Sequence, residues 1–200
     1  MSPDLDPRPT ERPGLFVAVV GPSGAGKDTL LRLAADTLRD RTSIVFARRV
    51  VTRAAVAAIE DHAVMPEEAF AAAEAEGAFC LSWRAHGLAY GLPAELHARL
   101  SCGESIVANV SRRVLATAAE RFRRLAVVEI TASRAVLVER IASRGREAPA
   151  EIAARLDRAA PLMVPATAER LCRIDNDGPP DAGAATLAAF LREATDPLCA

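Results

Sequence analysis

LFVAVVGPSGAGKDTL, residues 15–30, decides the fold. Residues 15–20 form an uninterrupted apolar run, as expected of a strand buried on both faces of a parallel sheet. Gly21, Pro22, Ser23, Gly24, Ala25, Gly26 and Lys27 then match G-x-x-x-x-G-K, a loop whose glycines let backbone N–H groups converge on phosphate oxygens. Leu30, Leu31, Ala34, Ala35 and Leu38 follow at helical spacing, so a helix begins with its positive end at the loop. The pattern's eighth position ordinarily carries a hydroxyl for Mg²⁺, and here it holds Asp28, followed by Thr29. Two roles are open to Asp28. Its carboxylate would ligate Mg²⁺, directly or through water, or it would only complement the helix dipole while Thr29 supplies the hydroxyl.

Lysine and arginine together number 25, and Lys27 is the only lysine among them. A compact, flexible ammonium stands at the one place where a phosphate loop needs it, and the planar fork of arginine does not fit that place. The chain has 200 residues, half of them hydrophobic, which suits one globular domain from Leu15 onward. Residues 1–14 read as a proline-rich, disordered leader. The formal net charge of −1 offers no basic field for nucleic acid or anionic lipid. No segment has the apolar length to span a membrane. The four cysteines are widely spaced, which points to reduced thiols in a cytoplasmic protein. A homodimer is among the states that the sequence allows.

Apolar runs recur at 43–47, 105–110, 125–130 and 171–174, alternating with helical patterns at 112–122, 133–144, 149–160 and 183–194. That alternation predicts an α/β fold with a parallel sheet. Residues 48–100 break the rhythm. They hold a helix over 66–77 and an irregular aromatic stretch, FCLSWRAHGLAYGLP, and are read as an insertion that covers the ligand-binding edge.

Arginines gather at that edge. Arg48, Arg49 and Arg53 cluster at a strand end beside Thr52, and their forks suit bidentate phosphate recognition. Tyr90, the only tyrosine, would donate to the same phosphate. Arg140 and Arg144 share a helix face, Gly145 breaks that helix, and Arg146 follows, which suits a lid over 140–150 that delivers guanidinium groups to a transferring phosphoryl group. A solvated helix end is the alternative. Arg155 and Arg158 stand on the next helix. His62 and His86 are candidates for a sugar site, whereas His97 reads as a surface residue, and no histidine has metal-ligand spacing.

These motifs in this order resemble the guanylate-kinase branch of the P-loop small-molecule kinases: GPSGAGK, the VTR turn, HGLAYG, and ERIASRGRE as lid. The resemblance implies a five-stranded parallel sheet of order 2-3-1-4-5, flanked by helices, with an acceptor-binding insertion and a helical lid. Guanylate kinases read their base with carboxylates. Here the corresponding segments carry Leu81, Ser82 and Trp83 in one strand and Asn109 and Ser111 in another. Features such as GKDTL, LSWRAHGLAYG, VANVSR and NDG are instead similar to the ribose 1,5-bisphosphate phosphokinase family of phosphonate breakdown, in which Asp28 is a point of agreement.

That resemblance implies ATP and Mg²⁺ as cofactors and transfer of a phosphoryl group onto the 1-phosphate of a sugar bisphosphate. It makes Lys27, Arg140, Arg144 and Arg146 catalytic. Arg49, Arg53, His62, His86, Tyr90, Asn109, Ser111, Arg112 and Arg155 become acceptor residues. Two alternatives stay open: a nucleoside monophosphate kinase such as guanylate kinase, and a non-catalytic interaction module that would have no need of Lys27 or the lid arginines.

Overall fold

The computed structural model describes residues 12–52, 62–85, 87–143 and 161–196. Strand β1 (Phe16–Val20) is buried along its whole length and leads through the glycine loop into helix α1 (Lys27–Thr37). Strands β2 (Ile44–Phe46) and β3 (Arg49–Thr52) follow, then β4 (His62–Met65), α2 (Glu67–Ala75), β5 (Phe79–Ala85), β6 (Leu88–Pro93) and α3 (Glu95–Ser101). The chain continues with β7 (Ser105–Asn109), a 3₁₀ turn (Arg112–Val114), α4 (Leu115–Arg121), β8 (Leu125–Thr131), α5 (Arg134–Ala142), β9 (Arg170–Asp175) and α6 (Pro180–Thr195).

Five of these strands form one parallel sheet in the order β2-β7-β1-β8-β9. Counted along the sheet's own strands, that is 2-3-1-4-5, as expected. Alternate residues of β1 feed two cores. Val17 and Val19 pack with α1 and α6 through Leu30, Ala34, Leu187 and Leu191. Phe16, Ala18 and Val20 pack on the other face with α3, α4 and Leu81, Trp83 and Leu92 of the second sheet. Burial on both faces explains why β1 reads as a continuous apolar run. Phe16 also stacks on Phe122, with ring centroids 4.2 Å apart.

Packing begins before Leu15. The N–H of Gly14 donates to the Leu100 carbonyl at 2.7 Å, and a Cβ at Gly14 would lie 1.7 Å from the Glu104 carbonyl oxygen. Gly14 therefore belongs to the folded body and not to a disordered leader, because only a residue without a side chain fits against that turn.

The second sheet has four strands in the order β4-β3-β6-β5. The stretch expected to be irregular is in fact an antiparallel pair, β5 with β6, in which Trp83 faces Tyr90 and Ser82 faces Gly91. Its period-two signal is present: Leu81 and Trp83 are buried while Arg84 is exposed. Glycines and aromatics in one short segment disguise that alternation. Thr52 ties this sheet together, accepting from the Ala89 N–H through its hydroxyl at 2.7 Å. A small core of Val50, Phe70 and Ala89 lies between the sheet and α2. The Arg84 guanidinium staples α2 from outside, donating to both carboxylate oxygens of Glu74 at 3.4 and 3.0 Å, and this hydrogen bond chiefly holds the Glu74 carboxyl below its ordinary value.

Cys80, Cys102 and Cys172 are not joined in disulfides, and burial pushes Cys80 up to about 11, which leaves it a poor nucleophile. Among the described residues no helix is long and apolar enough to cross a membrane.

Phe70 is fully buried and stacked on Phe79 at 4.6 Å. Phe70→Ala is expected to destabilise the protein by about 3 kcal/mol, seen as a lower urea midpoint with unchanged slope.

Candidate active site

The parallel register brings the C-terminal ends of the strands to one edge of the sheet. Val19 lies opposite Asn109, Val20 opposite Glu129, and Thr131 opposite Asp175. Ligands of open α/β sheets bind outside such an edge, and the glycine loop leaves β1 there.

Gly26 caps α1 in the left-handed conformation, with φ 88° and ψ 17°. A Cβ there would meet the Asn176 Nδ2 at 2.5 Å. Glycine is required by both the conformation and the close approach. Asn176 follows directly on β9, is buried, and donates through Nδ2 to the Ala25 carbonyl at 2.8 Å, while its own N–H donates to the Thr131 carbonyl at 2.8 Å. The last strand thus braces the loop from beneath. Helix α5 braces it from the side, since a Cβ at Gly24 would lie 2.9 Å from Cγ1 of Ile141. Sequence reasoning gave Asn176 no role. The NDG triplet at the end of an apolar run was the available signal, because a polar residue just past a buried strand lands at the ligand edge.

Lys27 folds back over the loop and donates from Nζ to the carbonyls of Gly21 and Pro22 at 2.9 and 2.8 Å. Its ammonium is therefore held above the cradle formed by the loop. Arg140 stands on α5, next to Ile141, and its Nη1 is buried without a hydrogen-bond partner among the described residues. A buried guanidinium nitrogen left unsatisfied is costly unless an anion meets it.

Asp28 does more than face the helix dipole. Its Oδ1 accepts from Asn109 Nδ2 at 2.7 Å and from Arg49 Nη2 at 3.3 Å. Asn109 is buried, and one N–H of its amide is committed to the loop's Asp28. Arg49 opens β3 and lies over the Tyr90 ring at 5.8 Å from its centroid, and Tyr90 is stacked on Trp83 at 5.4 Å with planes 7° apart. The structure therefore gathers Lys27, Asp28, Arg49, Tyr90 and Asn109 at one edge.

Ser111 lies beyond β7 and caps the 3₁₀ turn, its Oγ accepting from the Arg113 N–H at 3.3 Å, and Arg112 is the first residue of that turn. Ser111 thus has a structural use alongside any contact with a ligand. Thr29 is exposed in the first turn of α1. His97 packs against Phe122, 6.1 Å between centroids, in keeping with a structural role. The β4 backbone at His62 pairs with Arg49. The side chain of His62, and all of Arg53, His86, Arg144, Arg146, Arg155 and Arg158, lie outside the described residues.

The residues present fit a nucleotide and its cation. Glycine N–H groups, the positive end of α1, Lys27 and the unsatisfied Arg140 nitrogen suit polyphosphate. The Oδ2 of Asp28 and the Thr29 hydroxyl are hard oxygen donors of the kind Mg²⁺ takes alongside phosphates and water. Among the described residues no group of three or more His, Cys, Asp or Glu could hold a metal by itself.

No family model matches the chain. It is 51% identical over 180 residues to the ribose 1,5-bisphosphate phosphokinase of Methylobacterium radiotolerans, covering 90% of this chain and 98% of that one. The ribose 1,5-bisphosphate phosphokinase of Rhizobium etli is 47% identical over 165 residues, 82% of this chain and 83% of that one. Among solved structures, a guanylate kinase from Anaplasma phagocytophilum matches with a TM-score of 0.61 at 17% identity, over 94% of this chain and 89% of that one. A sugar kinase from Janibacter sp. matches at 0.53 and 20% identity, over 92% and 97%. These two likenesses concern the fold alone.

Gly26→Ala is expected to weaken ATP binding at least about tenfold in calorimetry, with the helical circular dichroism retained, since left-handed backbone costs a non-glycine residue about 1–2 kcal/mol.

Proposed function

The chain belongs to the ribose 1,5-bisphosphate phosphokinase family, and on that premise we propose that it transfers the γ-phosphoryl group of ATP to the 1-phosphate of ribose 1,5-bisphosphate, giving 5-phosphoribosyl 1-diphosphate and ADP in phosphonate degradation. The observation that carries this reading is Arg49, held between Tyr90 and Asp28 beside the phosphate loop, where β5 carries Leu81 and Trp83 and no acid for a nucleobase. A guanine site needs carboxylates facing its N–H donors. A sugar bisphosphate needs guanidinium forks.

An acceptor phosphate is already ionised at neutral pH, so no side chain has to remove a proton. The work left to the protein is positioning and charge neutralisation. Lys27 exchanges the loop carbonyls for phosphate oxygens and follows the charge as it moves. Arg140, with Arg144 and Arg146 of the lid, neutralises the transferring group from the α5 side. Arg49, Arg53 and Tyr90 hold the acceptor's phosphates, with Arg112, Arg155, His62 and His86 as further contacts and Ser111 beside them. Mg²⁺, when bound through Asp28 Oδ2 or Thr29, supplies charge neutralisation on the nucleotide's outer phosphates. A cytoplasmic site of action, where ATP is at hand, goes with this reading.

An assay of ADP release tests it. Turnover with ribose 1,5-bisphosphate and little or none with GMP is expected, and the reverse preference would make the chain a guanylate kinase. Lys27→Ala is expected to lose about 10²-fold or more in kcat with the fold intact, since its charge acts mainly in the transition state. Near wild-type kcat in that variant would remove Lys27 from the catalytic group.

A further inference from the structure

Asp28 sits where two substructures meet. Its own backbone belongs to the phosphate loop and α1, while the donors on its Oδ1 come from the end of β7 and the start of β3. A carboxylate oxygen has two lone-pair directions, and Asn109 and Arg49 take both. The Asn109 bond, at 2.7 Å from a buried amide, is the firm one and sets the orientation of the carboxylate. The Arg49 contact, at 3.3 Å, is longer than an ideal charge-assisted bond. It is not an ordinary surface pair, however, because the Arg49 side chain is only 14% exposed and has the Tyr90 ring beneath it. Asp28 engages one nitrogen of the fork. Among the described residues, the other donors of the guanidinium are left for a second anion.

The geometry points to Asp28 as a positioning residue for acceptor recognition: its Oδ1, oriented by Asn109, aims the Arg49 fork at the acceptor phosphate and so ties the acceptor sheet to the nucleotide loop. This rests on the reading of Arg49 as an acceptor-phosphate residue. The role is separate from metal binding, for which Asp28 would offer Oδ2. It also explains in physical terms why a carboxylate serves at the loop's eighth position. A serine or threonine hydroxyl there is shorter, uncharged, and lacks the reach to accept from both β3 and β7 at once. The competing possibility is that Asp28 holds Arg49 away from the acceptor, and it has the opposite sign in binding.

The test is calorimetric binding of ribose 1,5-bisphosphate to the full chain without nucleotide and with excess chelator, so that Oδ2 and Mg²⁺ play no part. Asp28→Ala is expected to weaken binding about fivefold, the scale of coupling between contacting residues. Asp28→Asn keeps an oxygen for Asn109 and Arg49 and is expected to restore affinity to within about twofold of wild type, as the hydrogen-bond geometry survives the loss of charge. The Asp28→Ala, Arg49→Ala double variant is expected to bind no more weakly than Arg49→Ala alone. Unchanged or tighter binding by Asp28→Ala, failure of Asp28→Asn to restore it, or additive losses in the double variant would overturn the proposal. Thermal unfolding of each variant checks that binding is read on folded protein. If Arg49→Ala weakens binding and Asp28→Ala does not, the positioning role alone falls. If the wild type does not bind the sugar bisphosphate, or Arg49→Ala binds it as well as wild type, the reading of the acceptor site falls and takes the positioning role with it.

Discussion

The parallel pairing of β1 with β7 on one side and β8 on the other is the constraint on which the rest depends. It satisfies the backbone of β1 on both edges, while helices and the second sheet cover its two faces, and it leaves the chain one exit, at Gly21, on the edge where all five strands end. Once that register is set, Asn109 arrives beside the loop from β7 and Asn176 arrives beneath it from β9. The loop is then held by side chains from strands far away in the chain, and not by its own glycines alone. Loss of backbone entropy at three left-handed or extended glycines opposes this arrangement, and buried hydrogen bonds and apolar packing offset it.

The four-stranded sheet is anchored by a second constraint. Only Ala47 and Arg48 separate β2 of the parallel sheet from β3 of the other, so the two sheets share nearly continuous backbone. Leu81, Trp83 and Leu92 then pack into the core face made by Phe16, Ala18, Ile106 and Ala108. Trp83 does two jobs at that seam. It is part of the core, and it supports the Tyr90 ring over which Arg49 lies. Apolar packing in the β5–β6 hairpin thus helps to set the position of a charged group on the neighbouring strand β3.

Much of the site was legible from residues 15–30. An apolar run, three glycines, a sole lysine and a helical repeat leave few other structures for those sixteen positions, and the arginines at 48 and 49 announce an anion. The hairpin of β5 and β6 was harder to see, because its alternating burial is carried by residues such as Ser82, Trp83 and Gly91 whose types mix turn and strand signals. The part played by Asn176 was harder still to see: the NDG triplet marks a position at the ligand edge, but an asparagine after a strand has no periodicity, and its partners on Ala25 and Thr131 show only in the fold.

The sequence by itself determined the phosphate loop and the α/β alternation of a parallel sheet, because those follow from local spacing and from residue types that few environments tolerate, whereas the strand order came only with the family resemblance. Tertiary structure alone decided which partners meet there. Asp28 looked like a departure within a motif, and its place between Asn109 and Arg49 depends on contacts across 81 and 21 residues of chain. Local spacing carries no record of such contacts. They exist only when strand register and core packing bring distant side chains to the same edge.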